Sequence, residues 1–84
     1  MKRKLHRLKA WPEYFSAVKS GKKTFEVRKN DRDFNAGDIV ELNEWNPDSQ
    51  EYSGRALTFT IGYVLREEFG LQPGYCAFSL LPRE

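Results

Sequence analysis

Between Gly21 and Arg28 the chain reads GKKTFEVR, which places Lys23, Glu26 and Arg28 within six residues of one another. Glu26 and Arg28 alternate with Phe25 and Val27, so in a strand they share one face, about 7 Å apart. A carboxylate only accepts hydrogen bonds, whereas a guanidinium donates five in a rigid fork. Arginine suits two-point recognition of a phosphate or a guanine edge, and Lys23 adds a point charge on a flexible stem. This mixed-sign set can hold an anionic group and orient a base-like edge. It can equally be a same-face ion pair on a solvated strand, worth about 0–1 kcal/mol if exposed. Eight of the fifteen residues from Ser20 to Phe34 are charged, and charge runs are commonly solvated faces.

Other residues offer narrower chemistry. His6 is the single histidine and Cys76 the single cysteine. That excludes an intrachain disulfide and paired-histidine or all-cysteine metal sites. No metal and no cofactor is implied. Histidine is the side chain best suited to proton transfer at neutral pH, which makes His6 a candidate general base, but one histidine at the start of a strand is more often structural. Trp11 and Trp45 could stack on bases; Trp11 opens an apolar stripe and reads as core, while Trp45 ends a strand beside a polar loop. Cys76 lies on an apolar strand face and reads as an inert buried thiol. Asn30, Asp31 and Arg32 could reach a ligand from a loop, or Asn30 and Asp31 could simply build the turn.

The elements that must position these residues follow from periodicity. His6, Leu8 and Ala10 alternate in a strand over residues 4–10. Trp11, Tyr14, Phe15 and Val18 fall at the spacing of one helix face. Pro12 suits the first helical position, and Gly21 can take the left-handed conformation that ends a helix. The spacing therefore predicts a helix of about ten residues with that four-residue stripe buried. Strands follow at 24–28, 38–45, 55–65 and 75–81. Phe25 and Val27 are expected in the core, with Glu26 and Arg28 facing out beside the helix. Val40 and Leu42 share one face, as do Leu57, Phe59, Ile61, Tyr63 and Leu65, and then Cys76, Phe78 and Leu80. Residues 46–54 read as the longest loop. One early helix and about five short strands predict a mixed α/β, mainly β fold. In a chain of 84 residues, read as one domain over 1–84, a closed or nearly closed barrel would remove exposed edges.

Charge is divided between the two halves. Residues 1–37 carry eleven Lys and Arg against four acids, whereas residues 38–84 carry three against eight. This suggests one basic side and an anionic partner, unless the halves neutralise each other on folding. The basic start lacks the apolar run of a secretory signal, and no stretch is apolar for long enough to span a membrane. A soluble cytoplasmic protein is the expectation.

In order along the chain come His6-Arg7-Leu8-Lys9, the aromatic segment Trp11 to Val18, G-x-K-x-x-E-x-R from Gly21 to Arg28, Asn30-Asp31-Arg32, and Gly37-Asp38. The G-x-K-x-x-E-x-R turn resembles the signature of ASCH domains in the PUA-like superfamily. The ordered set resembles an uncharacterised ASCH-like family of bacteria and phages over most of the chain. The resemblance implies a small PUA-like barrel with one early helix beside a cleft lined by the signature residues, and an association with RNA. Some small ASCH proteins are amidohydrolases acting on acylated cytidine, or proposed ribonucleases. The amidohydrolases use a Lys, a Thr and a downstream Glu. Lys23 matches their lysine, but Glu26 stands where their threonine would be and Thr24 is two residues early. The downstream candidates are Glu67 and Glu68.

The resulting expectation is an RNA- or nucleotide-binding module. Lys23 and Arg28 would contact the ligand and Glu26 would orient it. Lys9, Lys22, Lys29 and Arg32 would attract phosphates, and Asn30 would contribute from its loop. One alternative is a small metal-independent enzyme acting on RNA or modified nucleosides, with Lys23 and Glu26 in acid–base roles. Another is a domain whose basic face docks an acidic protein partner.

Overall fold

The computed structural model describes residues 3–66 and 70–83. Its elements in chain order are β1 (Leu5–Ala10), α1 (Pro12–Lys19), β2 (Phe25–Lys29), β3 (Ile39–Asn46), β4 (Glu51–Arg66) and β5 (Tyr75–Pro82). The five strands form one sheet in the order β1-β3-β4-β5-β2, with β1 parallel to β3 and the other neighbours antiparallel. The sheet curls into a half-barrel, and α1 packs into its concave side. The predicted closure is only partial. β1 and β2 are the two free edges, and side chains rather than a backbone ladder link them. Arg28 Nη2 donates to the Lys9 carbonyl at 2.7 Å, and Arg32 Nη1 donates to the Arg7 carbonyl at 2.9 Å. Among the described residues no helix is long and apolar enough to cross a membrane.

Period-2 alternation places His6, Leu8 and Ala10 of β1 inside, with Val40 and Leu42 of β3 and Cys76, Phe78 and Leu80 of β5. Phe34, from the loop after β2, fills the floor against His6 and Phe78. Burial of these side chains is the main source of stability.

Helix α1 has only eight residues, too few to be stable alone in water. Pro12 opens it, Glu13 and Lys19 complement its dipole, and Gly21, at φ +83°, carries the chain out. The buried stripe is narrower than its spacing predicts. Phe15 and Val18 are buried, but Trp11 and Tyr14 remain about half exposed. Trp11 is the residue before the helix, with extended backbone at ψ 150°, so helical spacing does not govern it. Its ring stacks on Tyr14 at 6.0 Å, and the two rings turn together away from the core.

Two further expectations are corrected in the sheet. The span read as a long loop at 46–54 is a tight β3–β4 hairpin, because pairing already begins at Asn46 with Glu51. An irregularity in the β4–β5 register between Ile61 and Val64 turns Tyr63 out to solvent and brings Val64 against the core. At this point β4 and β5 approach so closely that a Cβ on Gly62 would lie 2.7 Å from Ser79 Oγ, which accounts for glycine there.

His6 and Asp38 form a buried pair, with Nε2 2.9 Å from Oδ2. Asp38 also accepts from the backbone N–H groups of Lys4 and Asn35. This pins the segment before β3 to the start of β1 and gives His6 a structural role. Burial alone raises the Asp38 carboxyl, but the hydrogen bonds from His6, Lys4 and Asn35 outweigh it and hold the group below the usual aspartate value. A carboxyl depressed on folding contributes stability that is complete above its unfolded value and is lost as pH falls through its folded value. Asp38→Asn is therefore expected to lower stability at neutral pH and to flatten its decline through the carboxylate range. Thermal melts of both proteins across that range check this; parallel curves would show that Asp38 contributes nothing to the acid dependence.

Candidate functional site

The seam between the two sheet edges opens into a cleft of about 430 Å³ beside the N-terminal end of α1. Its floor is Glu26, which is 4% exposed. The expected orientation of β2 is reversed: Glu26 points inward, while Phe25 and Val27 are each 48% exposed. The cause is register. Glu26 pairs with Phe78 and Arg28 with Cys76, and those two partners face the core, so pairing on β5 carries Glu26 and Arg28 to the same side. A shift by one residue would exchange the faces.

Both oxygens of Glu26 are occupied. Lys23 Nζ donates to Oε1 at 2.8 Å and Arg28 Nε to Oε2 at 2.9 Å. The Lys23 ammonium also lies 5.4 Å from the centre of the Tyr14 ring and 5.6 Å from that of Phe25, within cation–π range. Arg28 is held at Nε by Glu26 and at Nη2 by the Lys9 carbonyl, which fixes the plane of its guanidinium. Side-chain exposure is 23% for Lys23 and 27% for Arg28, against 5% for Glu26. The carboxylate is thus sealed beneath two cations, and the surface offered to solvent is positive. Trp11 and Tyr14 form one wall, Phe25 and Val27 the other. Such a cleft can take a flat ring against aromatic faces and an acidic group against the cations.

The structure therefore brings Lys23, Glu26 and Arg28 together, as the spacing implied, adds Lys9 to the cleft lining, and places Lys22, Lys29, Asn30 and Arg32 outside it. The Lys9 carbonyl anchors Arg28, but its ammonium lies 4.2 Å from the Trp45 ring centre, a contact that also engages Trp45. Lys22 and Lys29 are exposed and do not line the cleft. Asn30 builds its loop, accepting from the Phe34 N–H through Oδ1 and donating its own N–H to the Gly74 carbonyl. Arg32 sits on the β1 edge next to Arg28. Burial raises the Cys76 thiol above its usual value, as expected of an inert cysteine. Glu67 and Glu68 lie outside the described residues. Among the described residues no group of three His, Cys, Asp or Glu side chains is placed to hold a metal ion.

Sequence reasoning missed Tyr14, Phe25 and Val27 as cleft residues, because apolar side chains at regular spacing are read as core. It also missed a second carboxylate–arginine pair. Glu44 is buried and held by Arg55 through two bonds of 2.8 Å, and the Arg55 guanidinium lies 5.3 Å from the Phe15 ring centre. Hydrogen bonds from Arg55 and then Ser53 hold the Glu44 carboxyl below its usual value. This pair ties the β3–β4 hairpin to the helix.

An uncharacterised 12.9 kDa protein from the GpA 3′ region of Escherichia phage P2 is 44% identical to this chain over 45 residues. The aligned stretch is 54% of this chain and 41% of the phage protein, so the match spans about two fifths of that relative. A family model described as a domain of unknown function, DUF3850, matches residues 5–80. With nearly the whole described sheet inside that match, the chain belongs to the DUF3850 family.

Proposed function

We propose that the cleft binds a nucleotide unit, free or within a single-stranded nucleic acid, and that the half-barrel is of the ASCH, PUA-like type. The observation that carries this reading is the pairing of Lys23 and Arg28, fixed on a sealed Glu26, with the half-exposed rings of Trp11 and Tyr14. A base stacks on aromatic faces at about 1–3 kcal/mol per base, and its phosphate meets the cations. The ordered sequence motif supports the ASCH assignment, as does the position of the G-x-K-x-x-E-x-R turn between helix and cleft.

A Trp45→Phe protein retains Trp11 as its only tryptophan and so reports on the cleft. Titration with nucleoside monophosphates and short RNAs is expected to quench its fluorescence. The oligomers should lose affinity steeply as salt rises, with a log–log slope of about 0.7 for each phosphate contacted. Lys23→Ala is expected to weaken binding at least tenfold, about 1.4 kcal/mol. Absence of quenching by every ligand at low salt would sink the proposal. The 2.8 Å contact between Lys23 and Glu26 also supports a second reading, in which the two exchange a proton during cleavage of RNA or of a modified nucleoside. Product formed by the parent protein and abolished in Lys23→Ala would favour it.

A further inference from the structure

The free edge of β1 carries a feature that the cleft itself does not require. Along a strand, carbonyls point alternately to the two edges. The Lys4 carbonyl accepts from the Ile39 N–H and so faces β3, which leaves those of Arg7 and Lys9 on the unpaired side. Each is taken by a guanidinium, Arg32 on Arg7 and Arg28 on Lys9. The two carbonyls are two residues apart, about 6.5–7 Å at the rise of a strand, which is comparable with the spacing of successive phosphates on an extended single strand. Among the described residues neither Nη1 of Arg28 nor Nη2 of Arg32 has a hydrogen-bond partner, and the Arg32 side chain is 49% exposed. The acid nearest to it is Asp31, 4.0 Å from Nε, too far for a hydrogen bond.

We infer that Arg28 and Arg32 form a two-rung phosphate ladder on the β1 edge, which leads a single-stranded polynucleotide past the cleft while one of its nucleotides occupies it. The inference rests on the cleft being a nucleotide site and extends it from a nucleotide to a strand with a defined footprint. Arginine forks match phosphate oxygens, and two such forks held on consecutive outward carbonyls impose a repeat that a lone monophosphate cannot use. The same guanidiniums disfavour an added peptide strand, because β-addition needs the carbonyls that they occupy.

The ladder predicts a step in affinity with length. Uridylate oligomers of one, two, three and six nucleotides are titrated by fluorescence against the Trp45→Phe protein with and without Arg32→Gln. Affinity should rise at least tenfold from one to three nucleotides and then level off. Arg32→Gln should remove most of that rise, leave mononucleotide binding unchanged, and lower the trinucleotide's log–log salt slope by about 0.7. Circular dichroism checks that the variant is folded, and Arg32→Lys, which keeps the charge but not the fork, should recover only part of the rise. Thymidylate oligomers should show the same step, because the rungs read phosphate; a step confined to ribose strands would move the contact to the sugar and overturn the ladder. Equal affinity for one and three nucleotides, or a rise that survives Arg32→Gln, would overturn it and leave the cleft reading standing. Failure of mononucleotide and oligomers alike would remove the cleft reading and the ladder with it. An extended hexapeptide that binds while the oligomers do not would assign the edge to strand addition.

Discussion

Phe15→Ala is expected to destabilise the folded protein by about 3–5 kcal/mol, the cost of emptying a fully packed aromatic site. Phe15 is 1% exposed, and it is the main side chain by which α1 enters the half-barrel. The helix has two turns and no side-chain cap at its N-terminus, so little besides this anchor and Val18 keeps it helical. Arg55 lies over the same ring, and truncation therefore also frees the pair that ties the β3–β4 hairpin to the helix. A small domain has a total stability of about 5–15 kcal/mol, so the loss takes much of what is available. Trp11→Ala, at a half-exposed position outside the helix, is expected to cost far less while weakening ligand binding. Denaturant melts of the two variants decide this. A Phe15→Ala effect below about 1 kcal/mol, or a larger one for Trp11→Ala, would show that the helix is not held by Phe15.

Glu26→Gln is expected to cost about 3 kcal/mol and to abolish ligand binding in the cleft. Both carboxylate oxygens accept a hydrogen bond from a cation. An amide keeps one acceptor and turns a donor toward the other cation, so one bond is replaced by a repulsive contact and Lys23 and Arg28 lose the charge between them. Breaking a buried pair by removing one partner costs about 3–5 kcal/mol. The lower end applies here because both cations are about a quarter exposed. Arg28→Ala should lower stability as well, because its fork joins β2 to the β1 edge, and Arg28→Lys should not restore it, because one ammonium cannot span both acceptors. Chemical denaturation paired with binding titration tests this. A Glu26→Gln protein as stable as the parent, with binding intact, would show that the carboxylate neither supports the seam nor sets the cations.

In this geometry Lys23, Glu26 and Arg28 both line the cleft and hold its seam together. Spacing on a strand identifies the three as neighbours, but their depth depends on residues far away in sequence. Phe78 and Cys76 lie about fifty residues downstream and fix the face on which Glu26 and Arg28 fall. Arg28 closes the seam only because β1 ends at the other edge of the same sheet. Neither relation has a local signal, and a rule that sends Phe25 and Val27 inward is sound for a strand with one covered face. It failed at an edge strand whose inner face lines an open cleft.

The amino-acid sequence by itself determined what nearest neighbours determine. Strand period set His6, Leu8 and Ala10 on one face, and Cys76, Phe78 and Leu80 on another. Pro12 and Gly21 bounded the helix, the spacing of Phe15 and Val18 gave it one buried line, and the G-x-K-x-x-E-x-R stretch marked the charged set at the cleft. Only the tertiary structure decided which side of each alternating strand faces in, where β4 begins and shifts register, and that Trp11 and Tyr14 line a cleft. It also decided that Arg28 and Arg32 cap the β1 edge. The physical reason is that a period is symmetric: it divides a strand into two faces without saying which one is covered. The cover is supplied by chains that come together only when the sheet curls.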